Sequence, residues 1–244
     1  MKKLFSTLSI IFLLSPLSAL ALNFDGSDDF VQIQDSSIFD VGNAGSWCLW
    51  FYSNAAQSQK ALFMHDVASG KTASTWLWIG AYLTTNSTIL SGYVRISGVS
   101  YAASKTGAYN KTWTHVCTTF DRSLSSNRLN VYVDGVIGTP SNAADGAIDA
   151  GADPVIGQWE GNNTYFNGLI DEVRVYNRAL MPNEIRILYR GFPSRSGLVG
   201  YWPLIGNTSG TFEPDFSGYR NHGTRTGGPI RAALHPFTRL MKFR

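Results

Sequence analysis

The sequence predicts an all-β protein, a two-sheet antiparallel sandwich with one short helix. Three observations carry this. Apolar and polar residues alternate over strand-length runs through most of the chain. Gly, Asn, Asp and Ser punctuate those runs at short intervals, without the strand and helix alternation of a parallel sheet. The charged fraction is 15%, against roughly 25% in ordinary soluble domains, while 13% of residues are aromatic and 24 are Gly. Such a chain has bulk for a core and residues for tight turns, and too little charge for a disordered polyelectrolyte.

The elements follow in order. Strands are expected at Phe30–Ile33, Trp47–Tyr52, Ala61–Met64, Thr75–Ile79, Gly92–Ile96, Trp113–Phe120, Leu129–Val133 and Leu169–Tyr176, each rich in β-branched or aromatic residues. Asp134-Gly135 between two such runs is a hairpin signal, because both residues tolerate the positive φ of the turn. Residues 138–154 hold no sustained period and read as a loop. Pro182 suits a first helical position, Glu184 complements the N-terminal dipole, Ile185, Leu188 and Tyr189 form one stripe, and Gly191 ends the helix. Residues 193–198 resemble a linker, and 199–204 return to a strand pattern.

The start of the chain reads as an export signal. Met1-Lys2-Lys3 precedes an apolar run from Leu4 to Leu14, and Ala19-Leu20-Ala21 offers the small-x-small site that signal peptidase accepts. Ser and Pro residues break the run short of the ~20 apolar residues a membrane span needs, so residues 1–21 are expected to be removed and the protein to be secreted, extracellular or periplasmic. Losing Lys2 and Lys3 leaves 18 basic against 17 acidic residues, and no electrostatic case for nucleic acid remains. Export also permits Cys48 and Cys117, the only cysteines, to pair, with two buried free thiols as the alternative.

Short motifs exclude several chemistries. Four histidines, His65, His115, His222 and His235, show no zinc spacing, and no Gly-x-Ser-x-Gly elbow occurs. His115 reads as a partly buried structural residue. Asp171 and Glu172 are neighbours on a strand and face opposite sides, so Glu172 is expected to pair with Arg174 across solvent.

The stretch Gln158-Trp159-Glu160-Gly161-Asn162-Asn163-Thr164-Tyr165 is the best candidate for ligand contact. Sugar rings stack on Trp and Tyr, while amides and carboxylates bond their hydroxyls, and this run mixes both outside an obvious strand. Trp159 is equally readable as core. Trp76, Trp78 and Tyr82 form a second candidate; Trp76 and Trp78 share a face by alternation, and that face is read as core in preference.

The order of motifs sharpens the fold. Leu22-Asn-Phe-Asp25-Gly26-Ser-Asp28-Asp29-Phe30-Val31, the Trp47–Trp50 strand, Trp113-Thr-His115-Val-Cys117, Val131-Tyr-Val-Asp-Gly135 and Gly168-Leu-Ile-Asp171-Glu172-Val-Arg174-Val-Tyr-Asn-Arg178 resemble, in sequence, the laminin-G-like, concanavalin-A-like lectin and glucanase jelly-roll superfamily. His115-Val-Cys117-Thr-Thr119-Phe120 is similar to the pentraxin strand whose cysteine pairs with a neighbouring strand, which implies the Cys48–Cys117 disulfide. Pentraxin calcium loops are not matched, although Gln158, Glu160, Asn162 and Asn163 offer oxygens to a calcium ion at a different site.

The resemblance implies a single laminin-G-like domain over 22–230 and a tail over 231–244. Leu198-Val-Gly-Tyr-Trp202 and Asp215-Phe-Ser217-Gly218-Tyr-Arg-Asn221-His222-Gly223 look like a segment that usually precedes the first strand of such modules. Either it begins a truncated second module or it closes the same sandwich, and closure is the expectation because a lone fragment cannot bury an aromatic strand.

Glucanases of the superfamily carry Glu-x-Asp-x-x-Glu on one strand; the nearest run here, Glu213-Pro-Asp215-Phe-Ser-Gly218, lacks the third acid. The expected function is therefore a non-catalytic binding or adhesion module, for a glycan through Gln158, Trp159, Glu160, Asn162 and Tyr165. The alternative is a structural or protein-interaction component of a cell surface or particle.

Overall fold

The computed structural model describes residues 20–34, 36–65, 75–79 (backbone only), 89–149, 153–159, 164–205 and 210–233. The strands are β1 (Leu20–Asp25), β2 (Phe30–Ile33), β3 (Ala44–Ser53), β4 (Lys60–His65), β5 (Thr75–Ile79), β6 (Ile89–Ile96), β7 (Val99–Thr106), β8 (Trp113–Asp121), β9 (Leu129–Val133), β10 (Val136–Ile137), β11 (Pro154–Ile156), β12 (Gln158–Trp159), β13 (Thr164–Tyr165), β14 (Asn167–Tyr176), β15 (Leu198–Trp202), β16 (Phe212–Glu213), β17 (Gly223–Thr226) and β18 (Ile230–Ala233). The α-helix among the described residues, α1, spans Pro182–Tyr189.

Two antiparallel sheets stack as a sandwich. The first runs β10-β9-β8-β3-β14-β1-β18, with β15 also on β14, and the second runs β16-β17-β2-β11-β4-β5-β6-β7. Alternation sends Trp47, Leu49 and Phe51 of β3 and Val116 and Phe120 of β8 inward, against Val31 and Ile33 of β2 and Leu90, Val94 and Ile96 of β6. Asp134 and Gly135 take positive φ at the tip of the β9–β10 hairpin, as its sequence demands.

The opposite face of the first sheet lies under the helix. Cys48 and Cys117 are direct register partners and disulfide-bonded, and they pack with Tyr132 and Tyr176 beneath Ile185 and Leu188 of α1. Glu184 anchors the helix start by accepting the Met181 N–H at 2.9 Å and two Arg178 N–H bonds at 2.6 and 2.7 Å. Among the described residues no helix is long and apolar enough to cross a membrane.

The late segment packs into these same sheets. β15 pairs with β14, β17 with β2, and β18 with β1. Asp215 organises the intervening turn by accepting from the Tyr201, Ser217 and Asn221 N–H groups and the Ser217 hydroxyl, at 2.7–3.0 Å. The boundary drawn at residue 230 falls inside β18, so Arg231–Ala233 are strand rather than tail, paired to Leu20–Leu22.

A bulge interrupts β14 between Asp171 and Arg174, where its edge passes from β1 to β15, and Glu172 takes a φ of 56°. The Glu172–Arg174 pair therefore does not cross solvent. Arg174 is buried, lies 4.1 Å over the Tyr201 ring, and Glu172 accepts the Tyr201 hydroxyl at 2.9 Å.

Candidate ligand-binding site

The outer face of the second sheet lies on the side of the sandwich away from α1. Direct partners across an antiparallel pair share a face. Gln32 therefore lines up with Thr224, Val155 and Met64, and the row continues through position 76 to Tyr93. Position 78 pairs with Ala61 and Ser91. Positions 76 and 78 thus fall in rows of the outer face, where the sequence reading had placed them in the core.

Although they face away from the core, Met64 and Val155 are only 2% and 1% exposed. Part of the cover is Trp159, which packs with Tyr93 against Ala61 and Met64. A short ribbon, β12 paired with β13, delivers it. Gly157 launches the ribbon at a φ of 85°, and a side chain there would come within 2.6 Å of the Phe24 ring. The Phe166 N–H closes the ribbon's base on the Gly157 carbonyl at 2.8 Å.

The predicted contact residues are divided by this ribbon. Gln158 opposes Tyr165 and Trp159 opposes Thr164, so Trp159 and Tyr165 lie on opposite sides of it. Trp159 is half-buried, Tyr165 is half-buried with its ring 6.4 Å from Phe30, and Gln158 is buried. Glu160 and Asn162, with Asn163, lie outside the described residues. Sequence reasoning missed Tyr93, Phe30 and the Gln32–Asp153 hydrogen bond of 2.7 Å on this face, because nothing local reveals a register across β2, β11, β4 and β6.

A polar rim adjoins the ribbon. Asn167, which follows β13 by two residues, donates from Nδ2 to the Asp25 carbonyl at 2.7 Å and accepts from Asn54 Nδ2 at 2.9 Å. Gln57 clamps its backbone from both sides, at 2.6 and 2.7 Å. Next to this, carboxylate oxygens of Asp25, Asp28 and Asp29 lie within 4.8 Å of one another. Asp29 accepts the Asp25 N–H at 2.8 Å, and burial, reinforced by the two neighbouring carboxylates, holds its pKa above the usual range. Such hard oxygens are calcium's ligand type, though three are fewer than the 6 to 8 it takes. Three acids in five residues were the visible signal.

Groups weighed for catalysis are engaged in structure. Glu213 is buried against Arg225 Nε at 3.2 Å, and Glu172 and Glu184 are paired with Arg174 and Arg178. His115 is fully rather than partly buried, between Trp50 and Tyr189 at 5.2 and 6.0 Å, because α1 covers it. Burial, and then the Arg174 charge, lowers its pKa to about 3. At the far end of β3 an open depression of about 470 Å³ is lined by Ser37, Asp40, Asn43 and Asn177 among others.

Residues 25–186 match the family model Laminin_G_3, of the concanavalin A-like lectin/glucanase superfamily. The chain belongs to this family. The Laminin_G_3 match ends inside α1, so β15 to β18 lie beyond it. Solved structures give the same fold. A candidate carbohydrate-binding protein from Bacteroides ovatus is 21% identical with a TM-score of 0.65, over 88% of this chain and 60% of that one. This Laminin_G_3 chain thus spans about 60% of that relative's length.

The heptameric SAP-like pentraxin of Limulus polyphemus is 16% identical with a TM-score of 0.59, over 88% and 95% of the two chains. The CBM40 module of a Ruminococcus gnavus IT-sialidase, solved with α2,3-sialyllactose, is 13% identical with a TM-score of 0.54, over 70% and 99%. No curated protein matches the chain.

Proposed function

We propose that the chain is a secreted, non-catalytic carbohydrate-binding module whose ligand lies on the outer face of the second sheet. The observation that carries this reading is Trp159, half-buried and packed, like Tyr93, against Ala61 and Met64 on a sheet face that no helix covers among the described residues. An indole at that height offers a flat apolar platform to a sugar ring, and Gln32 and Asp153 sit on the same face as hydroxyl partners. The residues that follow Trp159, Glu160 and Asn162, complete the proposed contact set, while Tyr165 and the buried Gln158, on the other side of the ribbon, support it from behind. Carbohydrate-binding modules among the structural relatives support the same reading.

Export fits the strand pairing. Cleavage after Ala21 removes two residues that pair only with β18 and keeps every β1–β14 partner from Leu22 to Asp25.

A glycan array probed with the purified chain, with and without calcium, tests the proposal. Trp159→Ala should lower binding about tenfold or more through the lost stacking surface, while leaving the melting temperature within a few degrees. Unchanged array binding by the variant would show the proposed platform to be wrong. Calcium dependence would point to Asp25, Asp28 and Asp29, and Asp28→Asn should then reduce it.

A further inference from the structure

Helix α1 ends in a way that leaves an apolar pair in water. Gly191 takes a φ of 89°, its N–H bonds the Leu188 carbonyl at 2.9 Å, and the Phe192 N–H bonds the Ile187 carbonyl at 3.1 Å. This is the Schellman arrangement, which sets the residue after the glycine beside the one five positions earlier. A hydrophobic contact between the two frequently accompanies the motif. Here Ile187 is 49% and Phe192 64% exposed.

Arginines surround the pair. Arg186 and Arg190 flank it on the helix, and Arg195 follows three residues after Phe192, all three exposed. None of them has an ion-pair partner among the described residues, whereas the acid of the helix, Glu184, is already neutralised by Arg178. The segment 186–195 therefore presents three uncompensated positive charges around two solvated apolar side chains, on the side of the sandwich opposite the glycan face.

We infer that this helix end docks on an anionic phospholipid surface, with the arginines on headgroup phosphates and Phe192 and Ile187 entering the acyl boundary. Charge complementarity selects an anionic partner, and the exposed apolar pair selects an interface with a hydrocarbon edge over a soluble polyanion. The inference does not depend on the glycan site. Docking by this end would aim the outer face of the second sheet away from the bilayer.

Vesicle sedimentation with the purified chain tests it, comparing phosphatidylcholine alone with phosphatidylcholine containing about 30% phosphatidylglycerol, at about 0.1 M and about 0.5 M salt. An arginine near such a surface contributes about fivefold, so the anionic vesicles should bind about 100-fold more tightly, less so at high salt. R186Q/R190Q/R195Q should fall to the neutral-vesicle level. I187S/F192S should weaken vesicle binding about tenfold and leave binding to dextran sulfate unchanged. All substitutions are on the surface, and unchanged melting curves check that the fold is kept. Equal binding to both vesicle types, full binding by the triple variant, or an apolar variant that loses nothing on vesicles would each overturn the inference, the last by making the patch a general polyanion site.

Discussion

Gly92 of β6 faces Thr118 of β8 across the sandwich, and a methyl group at position 92 would lie 1.9 Å from Thr118 Oγ1, 2.5 Å from Cγ2 and 2.8 Å from Cβ. Ordinary contact is about 3.5 Å, so Gly92→Ala forces the two sheets or the Thr118 side chain to move by more than 1 Å. Thr118 cannot yield easily. It is β-branched, fully buried, and its strand is bonded through Cys117 to β3.

Overpacking of this kind costs typically 1–3 kcal/mol, and the three close contacts place Gly92→Ala at the upper end. The restriction that alanine imposes on the unfolded chain offsets about 0.5 kcal/mol, leaving a loss of about 2–3 kcal/mol and a fall in melting temperature of about 5–10 °C. Urea unfolding with an unchanged m-value reads it directly. The decisive form is a cycle with Thr118→Ala, which clears the two nearest atoms. The double variant should be more stable than the sum of the single effects by at least about 1 kcal/mol. Additive losses, or a Gly92→Ala protein as stable as the parent, would refute the close approach of the sheets at this point.

Two further outcomes follow from buried groups. The Cys48–Cys117 bond closes a loop of 69 residues, so Cys48→Ala/Cys117→Ala should cost about 4 kcal/mol in urea unfolding. Because α1 seals the pair, alkylation under reductant should label the parent protein only as it unfolds, and rapid labelling of the folded chain would contradict the seal. His115 stays neutral in the fold down to about pH 3, whereas the unfolded imidazole takes a proton below its ordinary 6.5. The unfolded state then binds more protons throughout that window, and stability should fall as pH drops, by about 2 kcal/mol at about pH 5. His115→Phe should flatten that slope; parallel profiles for the two proteins would assign the acid sensitivity elsewhere.

Much of the fold was legible wherever local physics decides it. The Asp134-Gly135 turn, the Pro182 start and Gly191 end of α1 and the alternation in β3, β8 and β14 each depend on a few contiguous residues. What escaped depends on partners far along the chain. β7, Val99–Thr106, is rich in Ser and Ala and half exposed, so it shows no strong alternation and exists because β6 pairs along its whole length. The bulge that turns Glu172 toward Arg174 and Tyr201 is set by the exchange of neighbours along β14. The candidate site was half legible. The mixture of aromatic and polar residues around Trp159 was visible, but its seat against Ala61 and Met64, and the division of Trp159 from Tyr165, follow from register alone.

The antiparallel pairing of β1 with β18 has a mechanical consequence. Both strands leave the sheet at the same end, where the first residues of one oppose the last residues of the other. Tension applied between the two ends of the fold therefore loads one backbone pair at a time instead of shearing the whole ladder together. The edge should unzip at low force, lengthening the molecule by a strand while β14 and the sulfur-clamped centre of the sheet stay paired.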